Sequence, residues 1–160
     1  MKLSNEVGAM RGYFRIGIEN TKTRANIGTL YRSALAFGAD YIFTVGKRYE
    51  EQCSDTAKAW RHIPLFHFRE LEDLKLPYGC RLVGIEIDPN AYMLPDFIHP
   101  ERACYLLGAE DRGLSKKAID MCHMLVRIPS NQCLNVSVAG SIVMCDRLTK
   151  RRERHEHHNH

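Results

Sequence analysis

The residues best suited to chemistry lie in two polar turns in the second half of the 160-residue chain. Residues 108–114 form the first turn and carry a carboxylate, Glu110, between two glycines. Residues 128–135 form the second, just before an apolar helical segment. Asn and Ser at a helix start accept hydrogen bonds from free backbone N–H groups, and a buried helix start favours electron-rich ligand atoms. The second turn is therefore either the cap of a core helix or one wall of a pocket.

The first turn also has two interpretations. Gly108 and Gly113 suit a tight strand-to-helix turn, which needs positive φ angles. Glu110 is either a helix cap, stabilised by the helix dipole, or a residue of a site. Open parallel sheets bind ligands at the carboxyl ends of their strands. Both turns follow predicted strands, and this position makes them the leading candidates for a functional site.

The elements that position these turns are strands and helices that alternate along the chain. Hydrophobic periodicity predicts helices at about 23–38, from Ser115 and from Asn135. The predicted strands cover residues 13–19, 39–45, 65–68, 81–87, 103–108 and 124–128. This alternation predicts one α/β domain over residues 1–150, with a mainly parallel sheet flanked by helices. Residues 1–12 look irregular, residues 88–100 read as a proline-containing loop, and the basic, His-rich tail 151–160 is predicted to be disordered.

Composition excludes several protein classes. The chain is 44% hydrophobic and 26% charged, which is ordinary for a globular protein. No apolar run approaches the roughly 20 residues that span a membrane, and no secretory signal is visible. Six cysteines without Cys-x-x-Cys spacing predict reduced thiols and a cytoplasmic location, and neither Cys nor His residues show zinc spacing. The net charge of +4 points only weakly to nucleic acid.

Three motifs occur in order along the chain. Residues 26–33 read Asn-Ile-Gly-Thr-Leu-Tyr-Arg-Ser, residues 107–115 read Leu-Gly-Ala-Glu-Asp-Arg-Gly-Leu-Ser, and residues 134–140 read Leu-Asn-Val-Ser-Val-Ala-Gly. Together they resemble the three motifs of SpoU/TrmH-type RNA methyltransferases of the SPOUT superfamily, over nearly the whole chain. The resemblance implies a C-terminal deep trefoil knot, a homodimer and S-adenosylmethionine as cofactor. It also implies methylation of a ribose 2′-hydroxyl in tRNA or rRNA.

The same resemblance assigns roles to individual residues. The S-adenosylmethionine pocket would be lined, largely through backbone groups, by Gly108, Ile128, Cys133 and Leu134. Glu110 and Asn135 match polar positions that hold the loops and catalytic groups in place. Asn26 and Arg32 match the first motif, with Arg32 at the target ribose and facing the cofactor of the other protomer. Because a guanidinium hardly deprotonates, we expect Arg32 to bind phosphate and stabilise the forming alkoxide.

Two departures from the family pattern leave alternatives open. Cys133 stands where the third motif commonly has Ser, and the loop before it is shorter by roughly three residues and lacks a glycine. A non-catalytic RNA-binding protein that keeps the fold is one alternative. Another is a different α/β enzyme with an adenine cofactor, although the chain has no G-x-G-x-x-G motif. We expect the apolar C-terminal helix to be buried on most of its faces, in part at a dimer interface.

Overall fold

The fold is a layered α/β structure. A computed structural model describes residues 12–47 and 58–158, with side chains up to Arg154. Within these residues the strands are β1 (Tyr13–Glu19), β2 (Ile42–Val45), β3 (Leu65–Phe68), β4 (Arg81–Ile85), β5 (Tyr92–Met93), β6 (Arg102–Leu107) and β7 (Met124–Arg127). The helices are α1 (Arg24–Phe37), α2 (Lys116–Met121) and α3 (Val136–His158), with single 3₁₀ turns at Ala59–Arg61, Leu71–Asp73 and Leu94–Asp96. Cys53 and the segment 1–11, predicted to be irregular, lie outside the described residues.

Seven strands form one sheet in the order β3-β2-β1-β6-β4-β7-β5. Every pairing between neighbouring strands of this sheet is parallel, which confirms the predicted sheet type. One strand was not predicted. β5 lies in the expected loop 88–100 and pairs with the end of β7, with Met93 opposite Arg127. Two residues between prolines carry too little periodicity for a sequence pattern to reveal them.

Side chains alternate between the two faces of the central strands. On β1 and β6, Ile16 and Tyr105 point into the core shared with α1 and α3, whereas Leu106 points into the core shared with α2. Helix α1 buries the face that its apolar periodicity predicted. It ends where predicted, at Gly38, whose φ of 79° suits glycine and whose N–H bonds the last turn.

Helix α3 differs from the prediction at its C-terminal end. The sequence indicated a disordered tail from Arg151, but the helix continues to His158. Arg151 is only 9% exposed and donates to the Glu101 carbonyl at 3.4 Å. The basic residues of this segment therefore include one that is packed against the domain, so composition alone was misleading.

A buried polar network holds α3 against the sheet. The Arg147 guanidinium is 3% exposed and donates to the carbonyls of Pro100 (2.7 Å), Glu101 (2.8 Å) and Tyr13 (3.1 Å). Nearby, His99 lies between the Tyr105 hydroxyl (2.6 Å) and the Asp146 carboxylate (2.8 Å). Burial lowers the pKa of His99 to about 4 despite that carboxylate, so its ring is neutral near pH 7.

One side of α3 is exposed in the single chain. Val138 is 47% exposed and Ile142 is 37% exposed, four residues apart on this side of the helix, and Leu134 just before the helix is also 37% exposed. The other residues of the segment 136–144 are buried or half-buried, in agreement with the predicted burial on most faces. Burial of the exposed side at a dimer interface stays a prediction.

Replacing Arg147 tests the contribution of this network to stability. We expect Arg147→Met to lower the free energy of unfolding by about 3 kcal/mol, because each buried carbonyl left without a donor costs about 1–3 kcal/mol. Urea denaturation measures the change. Glu153→Gln, on an exposed position of the same helix, is the control and should stay within about 0.5 kcal/mol of the wild type. Equal stability of both variants would contradict the assignment.

Candidate functional site

A cavity opens at the carboxyl ends of β4, β6 and β7. It has a volume of about 390 Å³, within the range of roughly 300–1,000 Å³ typical of small-molecule sites. Apolar side chains form much of its wall, including Ile85, Leu107, Val136 and Ala139. The two polar turns singled out in the sequence supply most of the rest. The position at strand ends agrees with where parallel sheets bind ligands.

The four residues assigned to the cofactor all line this cavity: Gly108, Ile128, Cys133 and Leu134. Gly108 begins a closed turn in which Ala109 and Gly113 exchange two backbone hydrogen bonds, of 3.1 and 2.8 Å. A Cβ atom at Gly108 would clash with the backbone of Gly113 and Leu114. Glycine is therefore required here for close backbone approach. The binding role of the four residues stays a prediction.

Glu110 connects this turn to the start of α1. Its Oε1 atom accepts hydrogen bonds from Thr21 Oγ1 at 2.8 Å, Asn26 Nδ2 at 2.8 Å and Thr23 N at 3.3 Å. Its Oε2 atom accepts from Lys22 N at 3.0 Å. One carboxylate thus receives four donors from the segment 21–26, which fixes the first motif against the second.

Asn26 continues the series to the third motif. Its Oδ1 atom accepts from Asn135 Nδ2 at 2.9 Å. Asn135 Oδ1 in turn accepts from the N–H of Ser137 at 2.9 Å and from its hydroxyl at 2.6 Å, at the start of α3. Because a carboxylate accepts but does not donate, Asn26 must present its NH₂ to Glu110 and its oxygen to Asn135. All hydrogen bonds in the series Glu110–Asn26–Asn135 therefore run in one direction, with each amide donating toward Glu110.

Hydrogen bonding keeps Glu110 ionised. Partial burial alone would raise its pKa, but the donors from Asn26, Lys22 and Thr21 outweigh burial and lower the pKa to about 2. At neutral pH the group is therefore a carboxylate that receives four donors. Such a group holds neighbouring segments in place and is a poor proton acceptor.

Arg32 lies apart from the other predicted residues. It is exposed on α1 and lies outside the lining of the cavity. Its neighbour Ser33 contacts α3, where the hydroxyls of Ser33 and Ser141 are 2.9 Å apart. Arg32 itself is exposed, one residue before this contact with α3. The structure brings Asn26, Glu110 and Asn135 together, but it does not bring Arg32 to the cavity of its own chain.

Two carboxylates that sequence analysis did not single out also fix the first turn. Glu19, at the end of β1, accepts from Ser115 N at 2.8 Å and from Ser115 Oγ at 2.7 Å. Glu86, just after β4, accepts from Leu114 N at 2.7 Å and also lines the cavity. The only signal for them in the sequence is that each acidic residue closes an apolar strand pattern.

The family assignment follows from a match over most of the chain. The model described as the SpoU rRNA Methylase family matches residues 13–145. The chain belongs to this SpoU family. Membership confirms the resemblance that the three motifs predicted, and the hydrogen bonds between those motifs give it a structural basis.

Relatives and solved structures agree with the SpoU assignment. An "Uncharacterized tRNA/rRNA methyltransferase" of Mycolicibacterium paratuberculosis is 29% identical over 151 residues, covering 86% of this chain and 47% of that protein. The SpoU methyltransferase AviRb from Streptomyces viridochromogenes, in complex with the cofactor AdoMet, has a TM-score of 0.75 at 21% identity, covering 88% of this chain and 58% of that one. A third solved structure, which bears the description "Structural insights into the 2-OH methylation of C/U34 on tRNA", has a TM-score of 0.70 at 21% identity. The match covers 87% of this chain and 98% of that one.

These similarities confirm the predicted fold class. The SpoU chain spans about half the length of the curated relative it matches. Within residues 12–47 and 58–158, no helix is long and apolar enough to cross a membrane. The same residues contain no group of three His, Cys, Asp or Glu side chains placed to hold a metal ion.

The pH dependence of stability tests the role of Glu110. A carboxylate whose pKa is lowered from about 4.5 to about 2 stabilises the fold above pH 4.5, and this contribution is lost as the pH falls toward 2. We therefore expect Glu110→Gln to lower the free energy of unfolding at pH 7, with a difference from the wild type that shrinks at pH 3. Asp120→Asn, on exposed α2, is the control and should show little effect at either pH. A Glu110→Gln difference that is independent of pH would contradict the assignment.

Proposed function

We propose that this chain transfers a methyl group from S-adenosylmethionine to a ribose 2′-hydroxyl of tRNA or rRNA. The observation that supports the proposal is the series Glu110–Asn26–Asn135, which joins all three family motifs beside one cavity. A cavity without the motifs would be compatible with many kinds of enzyme. Motifs that lay far apart in the structure could not form a single active site. The name of the relative and the AdoMet complex of AviRb point to the same reaction.

The cavity fits S-adenosylmethionine in size and in chemistry. Its apolar wall suits the adenine ring. Its lining carries both carboxylates (Glu86, Glu110 and Asp111) and guanidinium groups (Arg112 and Arg127), which suit a ligand that bears an ammonium, a sulfonium and a carboxylate group. Gly108, Ile128, Cys133 and Leu134 would hold the cofactor, largely through backbone groups. When bound, S-adenosylmethionine supplies an electrophilic methyl group, so the protein has only to align the hydroxyl and remove its proton.

In this reaction Glu110 and Asn26 are positioning residues. The low pKa of Glu110 and its four donors suit it to holding the turns and not to accepting the hydroxyl proton. Asn135 has both of its polar atoms engaged, one with Asn26 and one with the start of α3. These three residues keep the cofactor loops and the first motif in one arrangement.

Arg32 acts on the RNA side of the site. Its guanidinium stays protonated at neutral pH, so it can bind the phosphate beside the target ribose and stabilise a forming alkoxide. Because Arg32 is exposed and outside the cavity of its own chain, we propose that it serves the cavity of a second copy.

A homodimer would provide that second copy. The exposed side of α3, with Val138 and Ile142, is apolar, and the same helix contacts α1 through Ser141 and Ser33, the neighbour of Arg32. Apolar surface of this kind is commonly covered by a partner. A two-fold axis at this surface would carry Arg32 of each chain toward the other chain. We further propose the C-terminal knot, on the basis of the family, and a cytoplasmic location, in line with the five free cysteines among the described residues.

A methyl-transfer assay tests the proposal directly. Tritiated S-adenosylmethionine is incubated with the protein and with bulk tRNA or rRNA, and the labelled nucleosides are identified as 2′-O-methylated or base-methylated. Label in 2′-O-methylnucleosides is expected. RNA binding without any methyl transfer would favour the alternative of a non-catalytic RNA-binding protein. The short loop before Cys133, which departs from the family pattern, is the feature that supports this alternative. If calorimetry showed binding of NAD and no binding of S-adenosylmethionine, the result would favour a different α/β enzyme with an adenine cofactor.

Arg32→Ala should separate the RNA side from the cofactor side. We expect methyl transfer to fall by about 100-fold or more, as for loss of a charge-stabilising donor, with S-adenosylmethionine affinity within about twofold of wild type. Thr29→Ala, at an exposed position on the same helix, is the control and should keep its activity. Loss of cofactor binding in a folded Arg32→Ala protein would contradict the assignment.

Mixing two inactive variants tests the shared site. Leu134→Trp should block the cavity that Leu134 lines, while leaving Arg32 intact. Random dimers of this variant with Arg32→Ala would contain about one quarter working sites, because half of the dimers are mixed and one of their two sites is complete. Activity should therefore return on mixing after subunit exchange. If mixed dimers form and activity does not return, a working site does not combine Arg32 of one chain with the cavity of the other.

Cys133→Ser tests whether the departure in the third motif matters. If Cys133 contributes mainly a backbone contact, the variant should stay within about tenfold of wild-type activity, some 1.4 kcal/mol. A methyl-accepting nucleophile would instead need its thiolate. Methyl transfer and cofactor affinity are both measured. A variant that binds S-adenosylmethionine normally but transfers nothing would overturn the packing role.

A further inference from the structure

Glu86 has a position that its structural role does not fully explain. It follows β4 at the carboxyl edge of the sheet, is partly exposed and lines the cavity. Its Oε1 atom accepts from Ile87 N at 2.8 Å, and its Oε2 atom accepts from Leu114 N at 2.7 Å. These two backbone donors hold the carboxylate in one orientation. A carboxylate has about four acceptor positions, so about two remain without a donor among the described residues.

The other carboxylates of the cavity are engaged differently. Glu110 already receives four donors from the segment 21–26, three of them on Oε1 and one on Oε2, so it is mainly engaged in holding that segment. Asp111 is exposed and forms an ion pair with Lys22, which offsets its charge. Glu86 is therefore the carboxylate of the cavity lining that combines a fixed orientation, free acceptor capacity and no cationic partner in the described residues.

We propose that Glu86 binds the ribose hydroxyls of S-adenosylmethionine and thereby selects a ribonucleoside cofactor. The inference rests on the proposed function. Neighbouring 2′- and 3′-hydroxyls are two adjacent donors, which match one remaining acceptor position on each carboxylate oxygen. An acidic residue at a strand end performs this task in dinucleotide-binding folds, where it bonds the ribose hydroxyl. The cavity offers this chemistry at the end of β4.

Glu19 provides a matched control. It also closes a strand, β1, and also accepts two hydrogen bonds from the turn, both from Ser115. It does not line the cavity of Glu86 but a separate one, next to Asn20 and Arg69. Glu19→Gln therefore reproduces the loss of charge and of turn support without a change in the proposed ribose contact.

A cycle of protein and ligand changes separates a direct contact from a structural effect. Isothermal calorimetry measures the Kd of S-adenosylhomocysteine and of its 2′,3′-dideoxy analogue. Wild type should bind the dideoxy analogue at least tenfold more weakly, since that analogue cannot make the two hydrogen bonds to the charged acceptor. In Glu86→Gln this ratio should fall to about twofold or less, whatever the absolute affinity, whereas Glu19→Gln should keep the wild-type ratio. Thermal unfolding checks that each variant is folded.

Each result has one meaning. Equal binding of both ligands by the wild type overturns the inference and leaves the proposed function standing. A ratio that falls in Asp111→Asn and not in Glu86→Gln also overturns it, because the contact would then belong to Asp111. If Glu86→Gln does not fold, Glu86→Asp replaces it. Because the Asp side chain is shorter, a ratio of the two Kd values equal to that of the wild type would contradict the proposal. Failure of the wild type to bind S-adenosylhomocysteine at all would instead contradict the proposed function.

Discussion

The site depends on one constraint: the carboxylate of Glu110 must receive the donors of the segment that begins α1. These donors come from both backbone and side chains, which ties a turn after β6 to a turn after β1. Because the carboxylate is ionised and partly buried, each donor that is lost leaves a charge less well compensated. Asn26 then transmits the arrangement to Asn135 and to the start of α3. Three segments far apart in sequence thereby acquire one geometry.

Carboxylates at strand ends extend this principle to the whole turn. Glu19 holds Ser115, Glu86 holds Leu114, and Glu110 holds the segment on the opposite side. Together with the burial of Leu114 in the core shared with α2, these acidic groups fix the turn while its backbone lines the cavity. They also explain why the turn tolerates two glycines, whose chain entropy would otherwise favour disorder.

Local patterns predicted much of the fold, whereas long-range contacts escaped them. The strand β1 and the helix α1 follow from alternation, apolar periodicity and the glycine that ends the helix. The bond between Glu110 and Thr21 joins residues 89 positions apart, and no spacing rule reveals such a partner. The resemblance in motifs supplied the site residues that periodicity could not. The tail was mispredicted because a basic residue such as Arg151 can bury its stem and donate to carbonyls.

The two sides of the site follow different physical rules. The cavity is built from elements of one chain, and its fixed hydrogen bonds suit a small ligand that must be held in one pose. Arg32 is exposed and lies outside this cavity, and one apolar side of α3 is exposed as well. In the proposed reaction the RNA ribose meets a cofactor that already occupies the cavity, so it approaches from outside, and a cation that contacts its phosphate has to stand beyond the cavity wall. A shared surface between two copies would place the cation there without adding a second domain.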